Sequence, residues 1–275
     1  MKSHTVSAAA LIAAFAVLSL PAAPADAAGV ERLYVMQCGQ GSAPDLSRWT
    51  PGLNVGVPVD VVDNCYLIRH AQGWLLWDTG VGDALAALPE GRAGQNGAPT
   101  WKLAKTLEAQ LGEVGVKPAD IKYVAISHTH PDHIGNVELF PNSMLLVQKA
   151  EYEWPTPFGA GRFKPEHPVT KLEGDHDVFG DGSVTIVSTP GHTPGHQSLL
   201  VKLPKTGAVM LSGDAVHFKD NWDNRRVPAG NVDKDKTLAS MTRMADLIAQ
   251  NKGQLWFNHD KAQAASQKHA PEFYD

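Results

Sequence analysis

Short apolar runs, each broken by a polar loop, recur along this chain and predict strands. Leu33–Cys38, Cys65–Arg69 and Trp74–Trp77 come first, and His70-Ala71-Gln72-Gly73 reads as the hairpin turn between the last two. Residues 39–62 are rich in Gly and Pro, carry Trp49, and are expected to form a long loop. Further runs lie at Tyr123–Ile126, Met144–Val147, Val184–Val187, Ala208–Leu211 and Leu255–Phe257. Helical spacing over residues 100–114 puts Trp101, Ala104, Leu107 and Leu111 on one face, with Thr100 as the N-cap. A second helix is expected over 235–251, with Leu238, Met241, Ala245 and Ile248 on its apolar face. Residues 150–170 carry Trp154, Phe158, Phe163 and several prolines and glycines, and read as a lid or substrate loop.

The first residues change the picture of where the chain works. Residues 1–27 carry Lys2, an apolar run from Val6 to Leu20 and the small-x-small exit Ala25-Asp26-Ala27. This is the pattern of an export signal, so a periplasmic or secreted protein is expected, with no membrane contact after cleavage. Residues 28–275 are then expected to form a single domain with a sizeable core. A net charge of −5 without a basic patch argues against nucleic-acid binding. Export permits a bridge between Cys38 and Cys65, but two buried thiols fit the sequence equally well.

The polar residues after the strand runs carry the chemistry. His128-Thr129-His130-Pro131-Asp132-His133 follows the Tyr123–Ile126 run. His128 and His130 can reach one ion, and Asp132 and His133 a second. His192, Asp214 and His259 follow three later strand runs. Imidazole and carboxylate donors suit Zn²⁺ and similar divalent ions, and seven groups from four strand ends can meet at one sheet edge. His196 is expected to be a structural hydrogen-bonding residue, and His70, His167, His176 and His269 to lie at the surface.

The pattern His128-x-His130-x-Asp132-His133, then His192, Asp214 and His259, resembles the metallo-β-lactamase superfamily. Asp78-Thr79-Gly80 and Gly191-His192-Thr193-Pro194-Gly195-His196 match its motifs too. The resemblance implies an α+β, four-layer αβ/βα sandwich, so that residues 28–275 form one catalytic domain with metals at one edge. It implies that His128, His130 and His192 hold a first ion. Asp132, His133 and His259 would hold a second, Asp214 would bridge them, and Asp78 would orient a ligand histidine. Two Zn²⁺ per chain are implied, with other divalent ions able to stand in, and a metal-bridging hydroxide would attack the substrate.

Aspartate at 214 sets the chain apart from the zinc β-lactamases, which lack that bridge. The sequence is similar to the N-acyl homoserine lactonase group, including Asp214-Ala215-Val216-His217 and Asn224-Arg225-Arg226-Val227-Pro228. One departure stands out: His217 takes the place of a tyrosine that donates a hydrogen bond to the substrate carbonyl in many lactonases. The resemblance implies that His217 stabilises the oxyanion and that Asp132 passes a proton to the ring oxygen. Trp49, Trp154 or Phe158 would meet the acyl chain. The expected activity is opening of lactone or ester bonds, foremost N-acyl homoserine lactones, which would quench quorum signals. Organophosphate or aryl ester hydrolysis on the same site is the alternative. A thiol-dependent, one-iron sulfur dioxygenase and a non-catalytic metal-binding protein are remote ones. The expected partner is a small lactone or ester, and the oligomeric state, a dimer included, is left open.

Overall fold

Along β1 (Val30–Ala43), Leu33 and Val35 join one core cluster while Tyr34 and Met36 join another. A strand with period 2 does this when both of its faces are covered. The structure is a computed structural model that describes Met1 and residues 29–155 and 159–275. Apart from Met1, the expected export signal falls outside the described residues, as does Phe158.

The first sheet holds β1, β2 (Val59–His70), β3 (Gly73–Trp77), β4 (Thr100–Lys102), β5 (Ile121–Ala125), β6 (Met144–Gln148) and β7 (Val169–Leu172). Its spatial order is β4-β1-β2-β3-β5-β6-β7. The second holds β8 (His176–Asp177), β9 (Val184–Ser188), β10 (Gln197–Leu203), β11 (Gly207–Leu211) and β12 (Gln254–Trp256), in the order β12-β11-β10-β9-β8. The inner faces meet through Leu33, Val35, Ile68, Leu75 and Trp77 against Ile186, Leu199, Val201, Val209 and Leu211. Helix α1 (Leu107–Glu113) packs Leu107 and Leu111 on the outer face of the first sheet, beside Met36, Leu67 and Leu76. Among the described residues, four short helices punctuate the loops: α2 (Pro131–Ile134), α3 (Lys149–Tyr152), α4 (Lys219–Asn224) and α6 (Lys261–Ala264). The long α5 (Lys234–Asn251) packs Met241 and Met244 on the outer face of the second sheet, against Leu200 and Met210. This is the expected α+β, four-layer αβ/βα sandwich.

Several local expectations are corrected. Residues 39–62 are not one loop: β1 continues to Ala43 and pairs with β2 from Val59. The glycines that suggested a loop serve the strand, because a Cβ on Gly41 would lie 2.9 Å from the Trp101 ring and 2.7 Å from Val61. Trp101 itself is not helical. Thr100–Lys102 pairs with β1 at the sheet edge, and the helix begins only at Leu107 with Thr106 as its N-cap. The Thr106 side chain accepts from Ala109 N–H at 3.1 Å, a bond Thr100 does not supply. Residues 150–170 contain most of α3, a 3-10 turn at Gly159–Arg162 and the start of β7. Strand β10, hidden behind the His192–His196 motif, was not anticipated.

Cys38 and Cys65 form a disulfide with Cα atoms 5.7 Å apart, linking neighbouring β1 and β2. His70 is fully buried rather than at the surface. Its ring stacks on Phe179 with centroids 3.8 Å apart, and Nε2–H donates to Asp181 at 3.0 Å. His167, His176 and His269 are half-buried.

Candidate metal centre

The sheets deliver their polar groups to one edge. Asp78 follows β3; His128, His130, Asp132 and His133 follow β5 and enter α2; His192 follows β9. Asp214 sits in the 3-10 turn Gly213–Ala215 after β11, and His259 follows β12. Pro131 opens α2, where its missing N–H costs nothing. Asp78 adopts φ +58°, a left-handed conformation that Asp tolerates better than most side chains.

Three ring nitrogens converge. His128 Nε2 lies 2.9 Å from His130 Nδ1, and His192 Nε2 lies 3.2 and 3.1 Å from those two atoms. Three mutually close imidazole nitrogens cannot all be paired as donor and acceptor. Their spacings approximate one face of a tetrahedron around an ion with Zn–N bonds of about 2.0–2.1 Å, whose edges are roughly 3.3 Å. The opposite ring nitrogens point the same way. His192 Nδ1–H donates to Asn231 Oδ1 at 3.0 Å, and His128 Nδ1–H to Ser127 Oγ at 3.0 Å. Each bond fixes the tautomer that leaves an Nε2 lone pair facing inward.

A second group gathers Asp132, His133 and His259, whose donor atoms lie within 4.8 Å of one another. His133 Nδ1–H donates to Asp78 Oδ2 at 3.0 Å and His259 Nδ1–H to the Val62 carbonyl at 2.6 Å, so both Nε2 atoms again face the centre. Asp78 also accepts from Ser127 N–H at 2.6 Å and Ser127 Oγ–H at 2.9 Å.

Asp214 stands between the groups. Its Oδ2 lies 3.3 Å from His192 Nε2, and its Oδ1 lies 2.9 Å from His259 Nε2 and 3.4 Å from His133 Nε2. Oδ1 and His133 Nε2 are buried and make no hydrogen bond, although their neighbours are close enough. Buried polar atoms left unpaired are rare. Lone pairs aimed at shared points between them are what ligands of divalent cations present, so the residues fit two such ions.

The electrostatics agree. Burial, reinforced by neighbouring histidines, drives His128 well below the usual imidazole range. Burial does the same to His192, against the pull of Asp214. Both are neutral, as a ligand must be. Burial would also lower His259, but the Asp214 carboxylate outweighs it and holds the ring up at about 9. A cation bound there would take the place of that proton. Asp214 is held well below the carboxylate range: burial opposes ionisation, and His217, His259 and His133 overcome it.

His196 plays the structural part expected of it. Burial pushes it down to about 3, and its neutral Nε2 accepts from Asp214 N–H at 2.9 Å. Ser127, Asn231 and Glu151, which hold the ligand loops in place, were missed. Ser127 immediately precedes the quoted motif, and Asn231 and Glu151 carry no local signal.

A cavity of about 860 Å³ opens over the centre. His130, Asp132, Asp214, His217 and His259 form part of its wall, with Trp49, Val81, Leu85 and Trp101 adding apolar surface. Trp49 lies with its ring centroid 6.3 Å from His217, and Trp101 6.0 Å from His259. Trp154 sits beside His130, centroids 6.4 Å apart, but does not line the cavity.

The sequence pattern of the Metallo-beta-lactamase superfamily matches residues 59–249. The chain is 33% identical over 260 residues to the N-acyl homoserine lactonase AttM of Azorhizobium caulinodans, covering 89% of this chain and 98% of that one. It is 33% identical over 252 residues to an N-acyl homoserine lactonase of a Bacillus species, covering 89% and 99%. A solved N-acyl homoserine lactone hydrolase, with N-hexanoyl-L-homoserine bound at its catalytic metal centre, superposes with a TM-score of 0.78. That structure is 30% identical and covers 89% of this chain and 99% of its own.

Proposed function

The chain belongs to the metallo-beta-lactamase superfamily and is a metal-dependent hydrolase, and from that premise we propose that it opens the lactone ring of N-acyl homoserine lactones. The observation that carries the proposal is Asp214, whose two oxygens face two separate histidine groups beneath an apolar-walled cavity. That volume falls in the range of small-molecule sites, and the relatives that act on this class of lactone match the chain nearly end to end.

His128, His130 and His192 would hold one Zn²⁺, and Asp132, His133 and His259 the other, with Asp214 reaching both. Two bound Zn²⁺ ions supply a water acidified to a pKa of about 7 and an electrophile for the carbonyl. The protein's own groups do the rest. His217 faces the cavity and offers a ring N–H to the carbonyl oxygen as charge builds there. Asp132 carries a proton to the ring oxygen as the carbon–oxygen bond breaks, leaving a hydroxy acid. Trp49 and Trp101 exclude water and receive the acyl chain. The Cys38–Cys65 bridge and the residue pattern over 1–27 support action outside the cytoplasm, where quenching of diffusing signal lactones becomes the physiological role.

The test compares kcat/KM of purified zinc-loaded protein for a long-chain N-acyl homoserine lactone, an aryl ester and a phosphotriester. The lactone is expected to lead by at least tenfold. A lead for the phosphotriester would overturn the assignment in favour of organophosphate hydrolysis.

A further inference from the structure

Glu151 on α3 lies outside the ligand set, yet it is fully buried. No Lys, Arg or His among the described residues forms an ion pair with it. Its oxygens are instead occupied by three donors. Thr129 N–H and Thr129 Oγ–H reach Oε1 at 2.9 and 2.8 Å, and Gly195 N–H reaches Oε2 at 2.9 Å. Thr129 sits between His128 and His130, and Gly195 lies three residues after His192. One carboxylate therefore joins the loop after β5 to the loop after β9.

The join is close. A Cβ on Gly195 would fall 2.2 Å from the Glu151 backbone nitrogen and 2.6 Å from its Cβ. Only glycine lets this loop approach α3 so nearly. A buried carboxylate is costly unless its charge is answered, and neutral donors answer only part of it. A cation on the histidines that flank Thr129 and precede Gly195 would add to that answer.

We propose that Glu151 is a positioning residue for the ion held by His128, His130 and His192. It sets the spacing of the two loops that carry those ligands, and its buried charge is offset by the ion. The proposal rests on the metal centre described above, not on the choice of substrate.

Glu151→Gln keeps an oxygen for Thr129, removes the charge and turns an NH₂ toward Gly195 N–H. Chelator competition on the zinc-loaded protein is expected to show one of two ions released at least tenfold more readily, the scale of a lost outer partner. The other ion is retained as in the parent. Visible absorption of the cobalt-substituted variant is expected to change, which a purely structural defect in a folded protein would not cause. Thr129→Val removes one donor and is expected to weaken the same ion less, while Thr129→Ser restores it. A folded Glu151→Gln protein with parental affinity for both ions and an unchanged cobalt spectrum would overturn the proposal. Should Glu151→Gln not fold, parental affinity in Thr129→Val overturns it equally. A parent that binds two ions but opens no lactone would refute the substrate assignment alone.

Discussion

His217, three positions after Asp214 in the chain, holds its Nε2 3.1 Å from Asp214 Oδ2. The imidazole is buried, stacks beside His259 at 5.4 Å between centroids, and lies 6.3 Å from the Trp49 ring. His217→Ala is expected to lower kcat by about a hundredfold, the usual loss on removing one oxyanion donor, with metal content unchanged. His217→Tyr is expected to stay within about tenfold of the parent, since a phenol also donates. Steady-state kinetics beside metal analysis check this; parental kcat in His217→Ala would remove His217 from the mechanism.

Asp78 receives His133 Nδ1–H and both Ser127 donors, and Ser127 in turn receives His128. One carboxylate thus steadies a ring in each histidine group. Asp78→Ala is expected to weaken both ions by about 10–100-fold. Isothermal titration of the apoprotein with Zn²⁺ reads both affinities, and two unchanged affinities would show that Asp78 only shapes the turn.

The Cys38–Cys65 bridge closes a sequence separation of 27 residues. Chain entropy assigns such a loop about 3.5 kcal/mol of stabilisation. Replacing both cysteines by serine is expected to lower the unfolding free energy by about 2–4 kcal/mol in denaturant titration, with the metal stoichiometry retained. An unchanged midpoint would mean that the bridge constrains little in the unfolded chain.

Burial alone would raise the Asp181 carboxyl, but the hydrogen bonds from Ser183 and from His70 outweigh it and hold it at about 2. The unfolded value is about 3.9. Folding therefore favours the ionised form. The stability this contributes is fully present above the unfolded value and disappears as the pH falls from about 4 to about 2. Asp181→Asn is expected to be less stable than the parent at neutral pH, with the gap closing across that window. A gap that stays constant with pH would show that charge is not the cause.

How much was legible in the sequence differs by residue, for physical reasons. His128, His130, Asp132 and His133 were readable because they crowd one strand end; His192, Asp214 and His259 because each follows its own apolar run. Trp101 misled, since its spacing to Ala104, Leu107 and Leu111 is helical while Gly39 and Gly41 make room for it across a strand edge. His70 misled because a turn histidine is ordinarily exposed, and its partners Asp181 and Phe179 lie more than a hundred residues away. Glu151 gave no sign at all, because its donors come from two loops that only the fold brings together.

The central claim is that two ions, joined through Asp214, act together. Its most direct test is proton release from a long-chain N-acyl homoserine lactone by apoprotein reconstituted with increasing Zn²⁺. Activity is predicted to stay low until the first ion is bound and to rise as the second fills. Full activity at one ion per chain, or activity indifferent to chelation, would contradict the account.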